Sequence, residues 1–459
     1  IRNSLQERAE NGFYNPKTVE LAQHLDERLQ HLKTHTADKK VIGVILGGYS
    51  TERHISVESG RNIYVKLASS DKYLPIPIFL TGNNREYDLY EIPVNILLKD
   101  NADDIAEKIK HFTTHPVTEE VMHRAQAITQ KYCFTANPEP RKLSFAELAA
   151  RVDAVFIALH GRPGEDGNLQ QHLEKYGIPY NGSGIATSKI TIDKYVTGQL
   201  LRQHGFHVAQ QLLIQKTDWK NNPHQLLGSI EHRFSYPVIA KPHDDGCSSA
   251  VKKIKNRTQL VAYLQTIFRN EGEPLNTLHI HTLGLKPKEE FPAKEAFLIE
   301  ELIDKGNADR FMEITGGLIT HHENGNAVTY EMFEPSETLA GEEVLSLEEK
   351  FLAGEGQNIT PARYSPNPDE RNQIAQKVMA ELQKVAELLH IEGYARTDAF
   401  VKMYNNGQTE VYVIEVNSLP GMTPATCIFH QCALNGYTPY AFIDHILEFA
   451  MQKKQKTNQ

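Results

Sequence analysis

Apolar residues fall in two rhythms along the chain. Short, largely apolar runs occur at Val41-Ile42-Gly43-Val44-Ile45-Leu46, Asp153–Leu159, Tyr236–Lys241, Ala296–Ile303 and Val411–Ile414. Runs of this length, rich in β-branched and aromatic residues, predict buried strands. Helical spacing separates them: Leu21, Leu25, Leu29 and Leu32 share one face of a helix over 16–34, and further helices are predicted from Asp193 to about His204, near 370–390 and over about 438–453. More strands are predicted around 311–333. The first run ends in Gly47-Gly48, turns through Tyr49-Ser50-Thr51-Glu52-Arg53-His54 and enters a helix from about Ser56. Strand, glycine turn and helix open a doubly wound α/β unit, whose ligand crevice lies at the carboxyl end of the strand. Residues 81–148 are polar and mixed, with weak helical patterning around 102–111 and 117–131. Residues 270–295, rich in Pro and charge, read as an inserted loop or hairpin.

Size and charge narrow the field. At 459 residues the chain is long enough for two to four domains or subdomains with their own cores. Its formal net charge of −9 argues against a generic nucleic-acid or anionic-membrane surface. No run has the length and apolarity of a membrane-spanning helix, and no signal-peptide pattern opens the chain. Cys133, Cys247, Cys427 and Cys432 lack metal-site spacing and are too few to staple so long a chain. A reducing cytoplasm is the expected setting.

Candidate chemistry concentrates near the C-terminus. Val411-Tyr412-Val413-Ile414 delivers Glu415 and Asn417 at a strand end, and residues two apart on a strand share a face. Asp398, followed by Ala399-Phe400-Val401, is expected on the neighbouring strand. Two carboxylates and a carboxamide are the oxygen donors a hard cation such as Mg²⁺ takes, shared with nucleotide phosphates. The bland alternative for Glu415-Val416-Asn417 alone is a strand end before a Pro-Gly turn.

Further landmarks are Gly47–Arg53 with Ser59-Gly60, the run His160-Gly161-Arg162-Pro163-Gly164-Glu165-Asp166-Gly167, and Gly177–Gly184. In order and spacing, these motifs with the metal motif resemble the D-alanine–D-alanine ligase family of the ATP-grasp superfamily. The match runs from about residue 41 to 450, with insertions at 81–148 and 270–295. Ahead of the match the periodicity gives a helical extension over 1–39; the resemblance implies a doubly wound N-terminal domain over 40–193 and ATP-grasp subdomains over 194–308 and 309–459. It implies ATP, two divalent ions (Mg²⁺, with Mn²⁺ as a substitute), phosphoryl transfer to a carboxylate, a cytoplasmic enzyme and a homodimer, with no nucleic-acid or membrane partner. By resemblance, Lys194, Lys241 and Ser248 meet phosphates, Glu300 with Leu302 or Ile303 meets adenine, and Asp309 meets ribose through a shifted local spacing. Asp398, Glu415 and Asn417 are the metal ligands, while Arg396 and the Gly421 N–H are the oxyanion donors. Glu52 fixes the first amino acid's ammonium, and His160 orients that substrate or handles a proton. Loop residues Cys247, Ser248 and Lys350 join the catalytic set, and Phe351, Thr426 and Cys427 line the substrate side.

Three positions depart from the family pattern. The usual Lys-Tyr pair reads Lys350-Phe351, Gly-Ser-Ser reads Gly246-Cys247-Ser248, and His-Ser-Leu reads Ala425-Thr426-Cys427. A thiol is a weak donor and acceptor, so Glu52 loses both of its usual neutral partners. The expected product is D-alanyl-D-alanine for peptidoglycan. The alternatives are a D-alanine–D-lactate ligase using a 2-hydroxy acid, a ligase for another amino acid, and, remotely, a nucleotide-binding scaffold without ligase chemistry.

Overall fold

The chain folds around three sheets. The computed structural model describes residues 38–113, 139–245, 250–286, 289–323, 328–339 and 358–457, with residues 24, 27 and most of 115–125. The helix expected over 16–34, Cys133, Gly246–Ser249, and Lys350-Phe351 fall outside the described residues.

The first sheet begins with β1 (Lys40–Gly47) and α1 (Arg53–Ala68). There follow β2 (Tyr73–Gly82), β3 (Tyr87–Glu91), α2 (Val94–Lys99), α3 (Ala102–Lys110), β4 (Arg141–Leu143), α4 (Phe145–Ala149) and β5 (Ala154–Ile157). Strand order is β4-β3-β2-β1-β5, with β1 parallel to both β2 and β5. A parallel core of this kind is buried on both faces, which is why β1 and β5 read as continuous apolar runs rather than alternating ones. Gly47 ends β1 at φ +94°, where a Cβ would lie 2.5 Å from the Phe79 ring, so only glycine makes this turn. The helix it feeds starts at Arg53, a turn earlier than the spacing predicts. Residues 81–148, expected as an insertion, supply two strands of this sheet, and Leu89, Ile96, Leu97, Ile105, Leu143 and Leu148 enter its core.

Three helices lead out of the first sheet: α5 (Asn168–Lys175), α6 (Ile185–Ile192) and α7 (Lys194–Gln203). After β6 (His207–Val208) come β7 (Gln211–Gln215), α8 (Lys216–Asn221), α9 (Pro223–Arg233), β8 (Val238–Lys241), β9 (Lys252–Ile254), α10 (Arg257–Ile267), α11 (Thr277–Leu283) and β10 (Ala296–Glu301). Their antiparallel sheet has the order β7-β10-β8-β9. The segment 270–295 contains α11, capped by Asn276, rather than a hairpin.

The third sheet is built from β11 (Arg310–His322), β12 (Val328–Met332), β13 (Ser336–Thr338), β14 (Asn358–Ile359), β15 (Tyr394–Met403) and β16 (Thr409–Asn417), with α12 (Pro368–Leu388) preceding β15. Its order is β14-β13-β11-β15-β16-β6, β12 pairing with β11. The chain ends in α13 (Cys427–Leu434) and α14 (Pro439–Thr457). Phe442, Ile443, Ile446 and Leu447 of α14 share one apolar core with Ile42, Val44 and Phe156, so the end of the chain packs on the first sheet. Among the described residues no helix is long and apolar enough to cross a membrane.

Candidate active site

Register brings the acids of the third sheet together. Asp398 on β15 lies directly opposite Glu415 on β16, and Arg396 opposite Asn417. Partners facing each other in a ladder point to one side, so all four side chains occupy one face. A bulge between Asp398 and Ala399 shifts the register at this point, a distortion common beside active sites. Arg396 donates to both Asp398 oxygens at 3.1 Å, and Thr315 on β11 donates to Asp398 at 2.6 Å. Burial opposes the Arg396 charge, but Asp398 and Glu415 beside it hold the guanidinium firmly protonated.

Lys194 reaches this cluster from α7. Asp193 caps that helix by accepting from the Tyr195 and Val196 N–H groups, which fixes the direction in which Lys194 leaves it. Its ammonium lies 3.1 Å from Glu415 and donates to the Asp245 carbonyl at 2.6 Å. Burial disfavours the charge on Lys194, yet Glu415 more than restores it and raises the pKa above that of a free lysine. On the second sheet Lys241 and Glu300 form a buried pair at 2.6 Å, and Gln211 donates to the other Glu300 oxygen at 2.7 Å. Gln211 also donates to the Lys194 carbonyl, joining the two groups. Leu302 and Ile303 follow directly after β10.

The first sheet contributes its part where β1 and β5 end, as expected of a doubly wound unit. Glu52 is buried there, and Glu165 is half-buried beside it. Glu165 accepts from the Gly161 N–H at 2.8 Å and the Leu419 N–H at 3.2 Å. Even so, burial and then the neighbouring Glu52 carboxylate push its pKa well above the glutamate range. Two largely desolvated acids in mutual repulsion make a receptor for a cation, because an ammonium between them relieves both.

Both ring nitrogens of His160 are engaged by protein groups. Its Nδ1 is 3.0 Å from the Leu419 carbonyl and its Nε2 is 2.8 Å from the Ser59 hydroxyl. The Leu419 carbonyl can only accept, so the ring carries its hydrogen on Nδ1, and the Ser59 hydroxyl donates to Nε2 while accepting from the Met422 N–H at 3.0 Å. Burial first, and the Arg396 charge in addition, lower its pKa to about 4. Asn62 donates to the Met422 carbonyl at 2.7 Å. His160, Ser59, Asn62 and Glu165 thus fasten the backbone of 419–422, the loop that carries Gly421.

The remaining residues divide. Asp309 is not brought to the site: it is exposed and clasps Asn405 at the turn between β15 and β16, accepting at 2.6 and 2.5 Å. Six positions separate it from Thr315 along β11, a span of about 20 Å for an extended strand. Glu313, opposite Phe400 and two residues from Thr315, is the acid of β11 on the Asp398 side. Thr426 is buried at the start of α13, and the Cys427 thiol lies within the field of Arg396 and Asp398, its pKa raised by burial first and by Asp398 in addition. Cys247, Ser248, Lys350 and Phe351 lie outside the described residues. Ser59 and Glu165 stood in the sequence only as members of glycine-rich motifs, and Asn62 not at all, because their partners at Leu419 and Met422 are hundreds of positions away.

The donor set fits a hard cation. Asp398, Glu415 and Asn417 offer oxygen alone, and among the described residues no group of three or more His, Cys, Asp or Glu side chains forms a complete metal cage. An ion held here takes the rest of its shell from water and phosphate, as Mg²⁺ does in nucleotide sites. Lys194 and Lys241 suit the phosphates of the same ligand.

An antiparallel sheet carrying Lys241 and Glu300, a largely antiparallel one carrying Asp398 and Glu415 with Lys194 reaching it from α7, and a doubly wound unit ahead of both define an ATP-grasp fold. The chain belongs to the D-alanine–D-alanine ligase family: the model of its N-terminal domain ("D-ala D-ala ligase N-terminus") matches residues 41–183, and that of its C-terminal domain matches 200–275 and 289–448. It is 26% identical to a D-alanine–D-alanine ligase of Chlorobaculum tepidum over 92% of this chain and 99% of that one. A ligase of the same name from Caldicellulosiruptor bescii is 27% identical over 91% and 97% of the two chains. Among solved structures, the D-alanine–D-alanine ligase of Coxiella burnetii superposes with a TM-score of 0.60 at 21% identity, covering 92% of this chain and 96% of its own. A D-Ala:D-Ser ligase of Enterococcus faecalis gives 0.59 at 18% identity, covering 90% and 99%.

Proposed function

We propose that this protein is an ATP- and Mg²⁺-dependent ligase that joins two D-alanine molecules for peptidoglycan synthesis, releasing ADP and phosphate. The observation that carries the reading is the convergence of the Glu52–Glu165 acids, Lys194 with Glu415, and Arg396 with Asp398 in one buried site. Glu52 and Glu165 hold the ammonium of the first D-alanine. Its carboxylate takes the γ-phosphoryl group of ATP, giving an acyl phosphate and ADP. Lys194 and Lys241 bind the phosphates, and Glu300 with the backbone of Leu302 or Ile303 receives adenine. Asp398, Glu415 and Asn417 would hold Mg²⁺ (or Mn²⁺), two ions in all, which when bound neutralises charge on the transferring phosphoryl group. The amine of the second D-alanine attacks the acyl carbon, Arg396 and the Gly421 N–H face the developing oxyanion, and phosphate leaves. Removal of one such donor typically costs about 3–4 kcal/mol in the barrier. The site draws on units at 40–193, 194–308 and 309–459, and the working form is a cytoplasmic homodimer.

Incubation with Mg-ATP and D-alanine, alone or with D-lactate or D-serine, and mass analysis of the products tests the reading. D-alanyl-D-alanine in every mixture is the expected result. A mixed product displacing it would reassign the second substrate to a 2-hydroxy acid or another amino acid, and no product with either would remove the ligase reading. A single sedimenting monomer would correct the dimer.

A further inference from the structure

Between the first and second sheets runs a chain of charges that the reaction does not itself require. Arg162 leaves the turn after His160, anchored by Asp166 at 3.4 Å. It crosses to Asp244, on the segment following β8, at 2.6 Å. Asp244 also takes Lys294 at 3.1 Å, and Lys294 reaches Asp245 at 2.9 Å. The side chains of Asp244 and Lys294 are only 11% and 17% exposed, so these are partly desolvated charges rather than a solvated surface pair. Burial by itself would raise the Asp244 pKa, but Lys294 and Arg162 together hold it near 2, so the acid stays ionised.

The other end of this chain is the phosphate lysine. The His243 carbonyl accepts from the Lys194 N–H at 2.8 Å, the Asp245 carbonyl accepts from the Lys194 ammonium, and the His243 ring contacts Asp193 at 3.1 Å. Residues 243–245 are therefore gripped from two sides: by α7 through Asp193 and Lys194, and by the first sheet through Arg162. On the first-sheet side, Arg162 sits one residue from Gly161 and three from Glu165, the groups that shape the ammonium site.

We propose that Arg162, Asp244 and Lys294 are positioning residues, a bridge that holds the ammonium-binding acids of the first sheet in register with the phosphate-binding lysines. The inference rests on the ligase reading. When the bridge is intact, the acyl phosphate forms beside the second amine with water excluded. When it is broken, water attacks the acyl carbon instead, and D-alanine and inorganic phosphate are returned after ADP has formed. ATP is then consumed without dipeptide.

Arg162→Ala, Asp244→Asn and their double variant test this, with Lys142→Ala, which removes an exposed pair to Asp88, as control. Three quantities are measured: kcat/KM for dipeptide, ADP released per dipeptide, and hydrogen exchange of the Lys194 backbone amide. Each single variant is expected to lose roughly tenfold or more in kcat/KM, as a misplaced reacting group does. The ADP-to-dipeptide ratio rises above one, Lys194 exchanges faster, and the double variant is little worse than either single. Arg162→Lys, which keeps a cation but loses the planar fork, recovers part of the coupling and serves if Arg162→Ala does not fold. A one-to-one ratio with unchanged Lys194 exchange, or single losses that multiply in the double variant, overturns the bridge. Wild-type protein that makes no dipeptide, while Lys194 exchange still responds to Arg162→Ala, defeats the ligase reading and leaves the bridge standing.

Discussion

Glu165 and His160 are neighbours in the chain, yet burial acts on them in opposite directions. A buried carboxyl next to another acid prefers its proton, whereas a buried imidazole sheds its own. Folded Glu165 therefore binds more proton than unfolded Glu165 at every pH above the ordinary glutamate value, up to its own raised one. In that range its contribution to stability falls as pH rises, by at most about 1.4 kcal/mol per unit. His160, with its folded pKa near 4, has the contrary sign: stability is lost as pH falls from about 6.5 toward that value. Between about pH 6.5 and 8 only the Glu165 limb is active, so Glu165→Gln is expected to flatten the pH dependence there. Denaturant titrations of both proteins at the two ends of that interval check it; parallel profiles would mean that the acid pair is not coupled. The placing of Asp398, Glu415 and Asn417 on one face of neighbouring strands was legible in the sequence because a strand's two-residue period is local. Glu165 was not, since its environment is made by Leu419, 254 positions away. The Asp309–Asn405 clasp did not show either, because its two partners lie 96 positions apart.

Elements were legible where local chemistry and tertiary use agree. In α12 the Asn367 side chain accepts from the Asp369 and Glu370 N–H groups, Pro368 opens the first turn, and Ile374, Val378, Leu382 and Val385 fall on the buried face. Each of these is a recognised start or face signal. Asn367→Ala is expected to cost about 1 kcal/mol of stability with activity per folded molecule unchanged, since the cap is remote from the chemistry. A thermal melt beside a rate measurement checks both halves; a lower rate at full folding would place α12 in the reaction. Residues 81–148 resisted reading for the opposite reason. β3 and β4 are short, and β4 exposes Arg141 and Lys142 and buries Leu143, so too few positions repeat to reveal a strand period. Within α1, Gly60 packs against Leu46, where a Cβ would come within 2.6 Å of that side chain's own Cβ. Gly60→Ala overpacks this contact and is expected to destabilise by roughly 1–3 kcal/mol.

At the scale of the molecule, the site takes residues from all three sheets, so ligand binding and folding are linked. Mg-ATP at a hundred times its Kd should stabilise the native chain by about 2.7 kcal/mol. Asp398→Asn removes one metal carboxylate, so the thermal shift with Mg-ATP should shrink toward that with ATP alone. An undiminished shift would place the metal elsewhere. The doubly wound opening and the order of the motifs made this architecture legible in advance, but the docking of α14 onto β1 did not show, because an apolar helix face does not name its partner. The grip of Asn62 on the Met422 carbonyl spans 360 positions. Contacts between chain segments so far apart form late, after shorter loops have closed. During synthesis the Gly421 donor therefore has no support until residues 419–422 have emerged and folded back onto Ser59, Asn62, His160 and Glu165. A nascent chain can hold a folded first sheet for much of its elongation and still be unable to spend ATP.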